Sequence, residues 1–395
     1  MRLVKIVLLF CVIYAAASLS GNFLIDFTPL SWFAIGLLAT FVFSLIGGIT
    51  LGTACSRSSA VESSSALPYW VLGLGLILVV VTSGTMWFAL LDQYGSFSAI
   101  WANSWNIRVS TIGQDTALVP SYISYLNHLV YALFALSLAC FKHSRKIVFL
   151  AMSAVLFGVI VASDLTQFGR IGILFAIFCI AGYFLVYQKK ILTIRNALFA
   201  GGLLVLLMLP RMIRGSFDNF RATVDHFSVF YRFDVPGILN IFVSVYFYYF
   251  VAPYALSEFL FQNSLADLSW GARTFTPFYN FLAKFTGQGR ISLIDNMEKI
   301  PFDYNIFTIV RDLFGDFGIA GVLLLPFLWG ILFGWVFKQT GIVADAIKIF
   351  FFAWLFYTPI FNVFSFGSFF IALCFLFILY FVTRLIPTRN SAISP

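Results

Sequence analysis

Charge is what this chain has least of. Only 10% of its 395 residues are Asp, Glu, Lys or Arg, where a soluble domain carries roughly a quarter. A solvated surface cannot be built from so few charges, so soluble enzymes and nucleic-acid-binding proteins are excluded and the chain belongs in a bilayer. Acids are scarcer than bases, 16 against 24, and the net charge of +8 matters here through where the cations stand rather than through their sum. The five cysteines, Cys11, Cys55, Cys140, Cys179 and Cys374, are odd in number and form no CxxC pair or metal-ligand spacing, so no thiol chemistry is assigned to them. Internal repeats are lacking, which weighs against transporters made of duplicated halves. No small-residue cleavage site follows the basic start at Arg2 and Lys5, so the first apolar run is read as a span rather than a secretory signal.

Long apolar runs are present in their place, and about 20 apolar residues suffice for one helical crossing. They lie at 3–20, 30–51, 69–90, 122–140, 147–162, 171–187, 197–209, 318–337, 347–361 and 369–382. If these alternate from a cytoplasmic start, Arg2, Lys5, Arg57, Lys142, Arg145, Lys146, Lys189, Lys190, Arg195, Lys338, Lys348, Arg384 and Arg389 all fall inside. The short outer loops then hold only Arg108 and Arg170. That asymmetry predicts both termini in the cytoplasm. The expected fold is an all-α polytopic integral membrane protein, a single transmembrane domain over 1–395 with about ten crossings.

The window 210–317 departs from this pattern because it concentrates most of the chain's acids, including Asp218, Asp225, Asp234, Asp267, Asp312 and Asp316. It is expected to be one large external loop region. Inside it, 238–256 (ILNIFVSVYFYYFVAPYAL) is long enough to come near to crossing. Were it to cross alone, Lys338, Lys348, Arg384 and Arg389 would face outward, so a re-entrant or interfacial segment is expected. Ten spans is the reading, with eleven or twelve left open.

Three places gather groups able to do chemistry. Beyond the seventh span, Arg214, Asp218, Arg221 and Asp225 repeat at helical spacing, with Phe217, Phe220, Val224 and Phe227 on another face. Such a helix lies in the headgroup layer and either meets a lipid-linked anion or carries a plain salt-bridge ladder. His226 beside it is a general base or a surface residue. Second, Arg170 stands at an outer span mouth, where positive-inside bias disfavours a mere anchor, and Asp164 either neutralises it or serves as an acid or base. Third, Arg311, Asp312 and Asp316 crowd the mouth of a glycine-rich span, with Gly315, Gly318 and Gly321 allowing close backbone approach. The Asp-Phe-Gly letters there match a kinase metal triplet by chance, since no phosphate loop or catalytic loop accompanies them.

The stretches YFYYFVAPYALSEFL at 246–260, WGARTFTPFYNFL at 270–282 and YNIFTIVRDLFGDFGIAGVLLLPFLWGILFGWVF at 304–337 resemble the Wzy-type oligosaccharide repeat-unit polymerases. These are the O-antigen, capsule and exopolysaccharide polymerases of bacterial inner membranes. Arg170 after Phe-Gly resembles the family's outer-face arginine, and Arg214 with Gly215 the Arg-Gly at the head of its large outer loop. The resemblance implies a glycosyltransferase-C-like, O-antigen polymerase-like fold and a transfer that uses no nucleotide sugar. The donor is a growing glycan on undecaprenyl diphosphate; the acceptor is one repeat unit on a second such lipid.

A departing lipid diphosphate needs cations rather than a proton, and arginine supplies permanent, bidentate charge. Arg170, Arg214 and Arg311 are the expected clamp, with Arg221 and Arg273 behind them. Asp316 and Asp312, then Asp225 and His226, are the candidate bases. Tyr249, Trp270 and Phe275 are placed to stack on sugars or to form an interfacial aromatic belt. No run of metal-ligand spacing is present, so transfer without metal or other cofactor is expected. Expected partners are undecaprenyl-diphosphate-linked oligosaccharides, membrane lipids, a chain-length co-polymerase and a flippase, with no nucleic acid. An O-antigen ligase is the enzymatic alternative, favoured less by the 246–337 pattern. A flippase or exporter is disfavoured because charge collects on one outer layer rather than along the spans.

Overall fold

A computed structural model of the chain describes residues 2–24, 30–56, 67–104, 106–107, 120–167, 169, 171–187, 232, 246, 249–262, 268–286, 298–299, 303–304, 308–360 and 362–385. In chain order the elements are α1 (Arg2–Leu24), α2 (Trp32–Cys55), α3 (Leu67–Tyr94), α4 (Phe97–Ala102), α5 (Ser121–Asn127), α6 (Leu129–Ser144), α7 (Ile147–Thr166) and α8 (Ile171–Tyr187). They continue with α9 (Ala252–Gln262), α10 (Thr276–Thr286), β1 (Glu298–Lys299), β2 (Asp303–Tyr304), α11 (Ile309–Lys338), α12 (Ile342–Tyr357) and α13 (Gly367–Leu385). The strands form one short antiparallel pair that sets Glu298 opposite Tyr304.

Seven helices among the described residues are long and apolar enough to cross a membrane: α1, α2, α3, α5 with α6, α7, α11 and α13. The expected runs at 171–187 and 347–361 fall on α8 and α12, apolar helices of 17 and 16 residues. The run 197–209 lies outside the described residues, as does most of 238–256. Large apolar side chains such as Phe23, Trp32, Phe43, Phe88 and Ile147 stand on exposed helix faces, where a soluble protein would place charge.

The chain folds as two compact units. The first comprises 1–56, 216–335 and 357–366. In it α2 opens on Ser31, whose hydroxyl accepts the Ala34 N–H at 3.1 Å and so satisfies one of the helix's free donors. The main chain of Ser31 donates in turn to Ser257 of α9 at 3.0 Å. Tyr254 of α9 reaches Asn22 of α1 at 2.8 Å, fastening α9 to α1 as well. Gly48 and Gly52 of α2 meet Gly330 and Gly334 of α11 backbone to backbone; a Cβ at Gly330 would strike the Leu45 carbonyl and Ile49 nitrogen. Small residues four apart on both helices are what lets two apolar helices approach this closely without a hydrophobic driving force. α11 itself is broken at Gly318 (φ 62°, ψ −151°), a conformation open to glycine, so its first nine residues are set off from the apolar remainder.

The second unit comprises 57–215, 336–356 and 367–395. Its centre is α6, buried continuously from Val130 to Cys140 against α3, α7, α8 and α13. A helix apolar all round is stable only inside such a bundle. Polar pairs lock the helices at defined depth: Ser137 to Ser153 at 2.7 Å, and Asn127 to Ser163 at 2.9 Å. Asp164, one of the open readings above, accepts the Ile173 N–H at 2.7 Å and so caps α8. At the far ends of α6 and α8 lies a charged knot. Asp345 accepts from His143 Nε2 (2.9 Å), Tyr187 Oη (2.6 Å) and Lys348 Nζ (2.7 Å). Lys348 also donates to the Gln339 carbonyl at 2.8 Å, and Arg384 holds the Gln339 side chain at 2.8 Å.

Candidate functional site

Within the first unit, the short stretch of α11 before Gly318 carries Arg311, Asp312 and Asp316, one helical turn separating the two acids. Against it lies a turn at 269–275. Trp270 (φ 49°) and Gly271 (φ 93°) are both left-handed, which is costly for the tryptophan and free for the glycine. A Cβ on Gly271 would stand 3.0 Å from the Phe317 ring, a tight contact on top of the left-handed backbone. This backbone is held by Ser269 N–H to Gly315 O (3.0 Å) and Trp270 N–H to Asp316 O (3.1 Å). Tyr279 of α10 adds its hydroxyl to the Trp270 carbonyl.

Asp316 completes the fastening. Its Oδ1 accepts the Arg273 N–H at 3.1 Å and its Oδ2 the Thr274 N–H at 2.6 Å, and the residue is 0% exposed. Charge-assisted bonds to two backbone donors make Asp316 the anchor of the turn. Asp312 is differently placed. Its side chain keeps 13% of its surface, Oδ2 accepts from Asn362 Nδ2 at 3.0 Å, and Oδ1 lies 3.8 Å from Arg311 Nη1. That last separation is an ion pair but too long for a hydrogen bond. Of the two acids singled out in the sequence, Asp312 is therefore the one able to exchange a proton with a bound molecule.

The cations converge on one ring. Arg273 and Arg311 set their guanidinium carbons 5.1 and 4.9 Å from the Phe259 centroid, α9 supplying a cation–π platform for both. Arg311 is 3% exposed. Arg273 donates through Nε to Ser269 Oγ at 3.2 Å, but its Nη1 is buried and has no hydrogen-bond partner among the described residues. The hydroxyl of Thr308 is in the same condition. Buried polar atoms are almost always paired, and these two groups have no partner among the described residues. Among the described residues two guanidiniums balance two carboxylates, a set that can take an anion while a carboxylate accepts a proton.

Arg311, Asp312 and Asp316, grouped in the sequence at one span mouth, are joined here by Arg273, which sequence reasoning sets behind Arg170, Arg214 and Arg311. Phe275 packs near them, 6.2 Å from Phe364, which itself stacks on Trp329 at 4.6 Å. Trp270 projects outward from its turn, 70% exposed. Tyr249 lies against α1, its carbonyl accepting the Tyr14 hydroxyl at 3.0 Å. Arg170, Arg214, Arg221, Asp225 and His226 lie outside the described residues. Phe259 and Asn362 were missed by sequence reasoning. A lone asparagine in the apolar stretch 347–376 was the one available signal, because a polar side chain there needs a partner.

No protein-family model matches the chain, and no curated protein or solved structure matches it.

Proposed function

We propose that this chain is an oligosaccharide repeat-unit polymerase of the Wzy type, acting at the outer face of a bacterial inner membrane with both termini in the cytoplasm. The observation that carries the reading is the pair of guanidiniums on Phe259, with Arg273 Nη1 buried and unspent beside a proton-accepting carboxylate. A lipid diphosphate is the chemical complement of that pair.

In the reaction the acceptor sugar's hydroxyl oxygen attacks the anomeric carbon of the donor glycan. The bond from that carbon to the diphosphate oxygen breaks, and the electron pair leaves with undecaprenyl diphosphate. Arg273 and Arg311 stabilise the charge that grows on the departing group, in a buried setting where such contacts act more strongly than in water. Asp312 takes the hydroxyl proton as general base. Asp316 reacts with nothing; it keeps Arg273 in place. The exposed Trp270, Phe278 and Phe281 on the turn and on α10 suit a headgroup layer, where a lipid-linked substrate presents its diphosphate.

The test is the surface-glycan ladder of a deletion strain, resolved to single repeat units, with plasmid-borne wild type as control. Loss of long chains with one repeat unit still attached supports polymerisation. Disappearance of every repeat unit overturns it in favour of a flippase or ligase, and accumulation of full-length lipid-linked polymer identifies the ligase.

A further inference from the structure

Asn362 sits where the segment 357–366 meets both α11 and the 269–275 turn. Its Nδ2 donates to Asp312 Oδ2 at 3.0 Å and to the Thr274 carbonyl at 3.2 Å. Its Oδ1 accepts the Phe364 N–H at 3.0 Å. A main-chain carbonyl can only accept and a main-chain N–H can only donate, so a single orientation of this amide satisfies all three partners. The residue is 3% exposed, and its own carbonyl accepts the Ser365 hydroxyl at 2.7 Å. The segment's other end is tied to the start of α11 by Ile309 N–H to Thr358 O at 3.0 Å. One side chain thus touches the acid on α11 and the turn that carries Arg273.

Resting on the glycosyl-transfer reading above, we propose that Asn362 is a positioning residue: it pins one oxygen of the Asp312 carboxylate and leaves the other to receive the acceptor's proton. It touches neither substrate nor leaving group. Its effect passes through Asp312 and, by way of Thr274, through the neighbouring Arg273. A base displaced by a fraction of an ångström from its hydroxyl loses rate while substrate binding persists, because geometry at the reacting atoms is worth far more than the contact itself.

The experiment uses the full-length chain in lipid nanodiscs with lipid-linked repeat units, measuring kcat and KM for Asn362→Ala, Asp312→Asn and the double variant. Asn362→Ala is expected to lower kcat by about 10–100-fold with KM within about twofold. The double variant is expected to be no slower than Asp312→Asn alone, since a positioning group has nothing left to position. Asn362→Ser serves as the second variant, because its hydroxyl keeps the cap on Phe364 while losing the paired donors. It is expected to show the same kcat loss. Wild-type kcat in Asn362→Ser, or losses that multiply in the double variant, overturns the positioning role while leaving the polymerase reading intact. Wild-type elongation by Asp312→Asn instead overturns Asp312 as base, and the positioning role with it.

Discussion

Among the described residues charge is buried in two clusters, one in each unit, and the two are finished to different degrees. In the second unit Asp345 takes three donors, and Lys348 is shared between that carboxylate and a carbonyl. In the first unit Asp312 meets Arg311 only at 3.8 Å, and Arg273 Nη1 and Thr308 Oγ1 are buried with no hydrogen-bond partner among the described residues. Burying charge is expensive, and the usual compensation is complete pairing. A closed network is therefore how charge looks when its task is to hold helices together. A cluster with buried donors left over among the described residues is what the proposed binding of a lipid diphosphate calls for.

Substitutions can break that contrast or sharpen it. Lys348→Met takes from buried Asp345 its lysine counter-charge, leaving His143 and Tyr187, and is expected to cost about 3 kcal/mol, seen as lower membrane level and lower Tm, with elongation per molecule unchanged. Pairing it with Asp345→Asn should restore much of the loss; failure to do so would mean the knot is not a closed structural unit. Next, Arg273→Ala or Arg311→Ala should lower elongation by about 10²–10³-fold at unchanged membrane level, and Arg273→Lys should not rescue it. A fall in level rather than rate would make both clusters structural. Gly330→Ala forces α2 and α11 apart at a cost of about 1–3 kcal/mol in Tm and level, whereas Gly36→Ala, with open space around it, costs nothing. That pair separates instability of the first unit from loss of its chemistry. The smallest effect is expected for His143→Ala, about 1 kcal/mol or less, because its side chain is 35% exposed and solvent screens the pair.

What could be seen in the sequence follows from which forces are local. Apolar runs are a property of consecutive residues, so the runs 3–20, 30–51, 147–162 and 369–382 mark helices whose bounds are 2–24, 32–55, 147–166 and 367–385. Arg311, Asp312 and Asp316 stood out because charges at a span mouth are rare. Their division of labour was not visible. Asp316 stands first of the two as a candidate base in the sequence, and only the positions of Arg273 N–H, Thr274 N–H and Asn362 separate the acid that anchors a turn from the one proposed as base. Gly48 and Gly52 look like any small residues in a span until Gly330 and Gly334 are set against them, a register decided by packing between distant segments. Phe259 carries no signal by itself, since a phenylalanine becomes a cation platform only when two arginines arrive from elsewhere in the chain. Lys348 was read only as a marker of sidedness, although its spacing of three from Asp345 already paired them on one helical face.

The knot around Asp345 also bears on how the protein is made. α12 carries an acid and a base within its first two turns and is 16 residues long, so lipid alone offers it a poor reception. Its carboxylate finds His143 202 residues earlier in the chain and Tyr187 158 residues earlier. Both are already synthesised when α12 leaves the ribosome. The order of synthesis therefore presents α12 with the partners of its carboxylate already made.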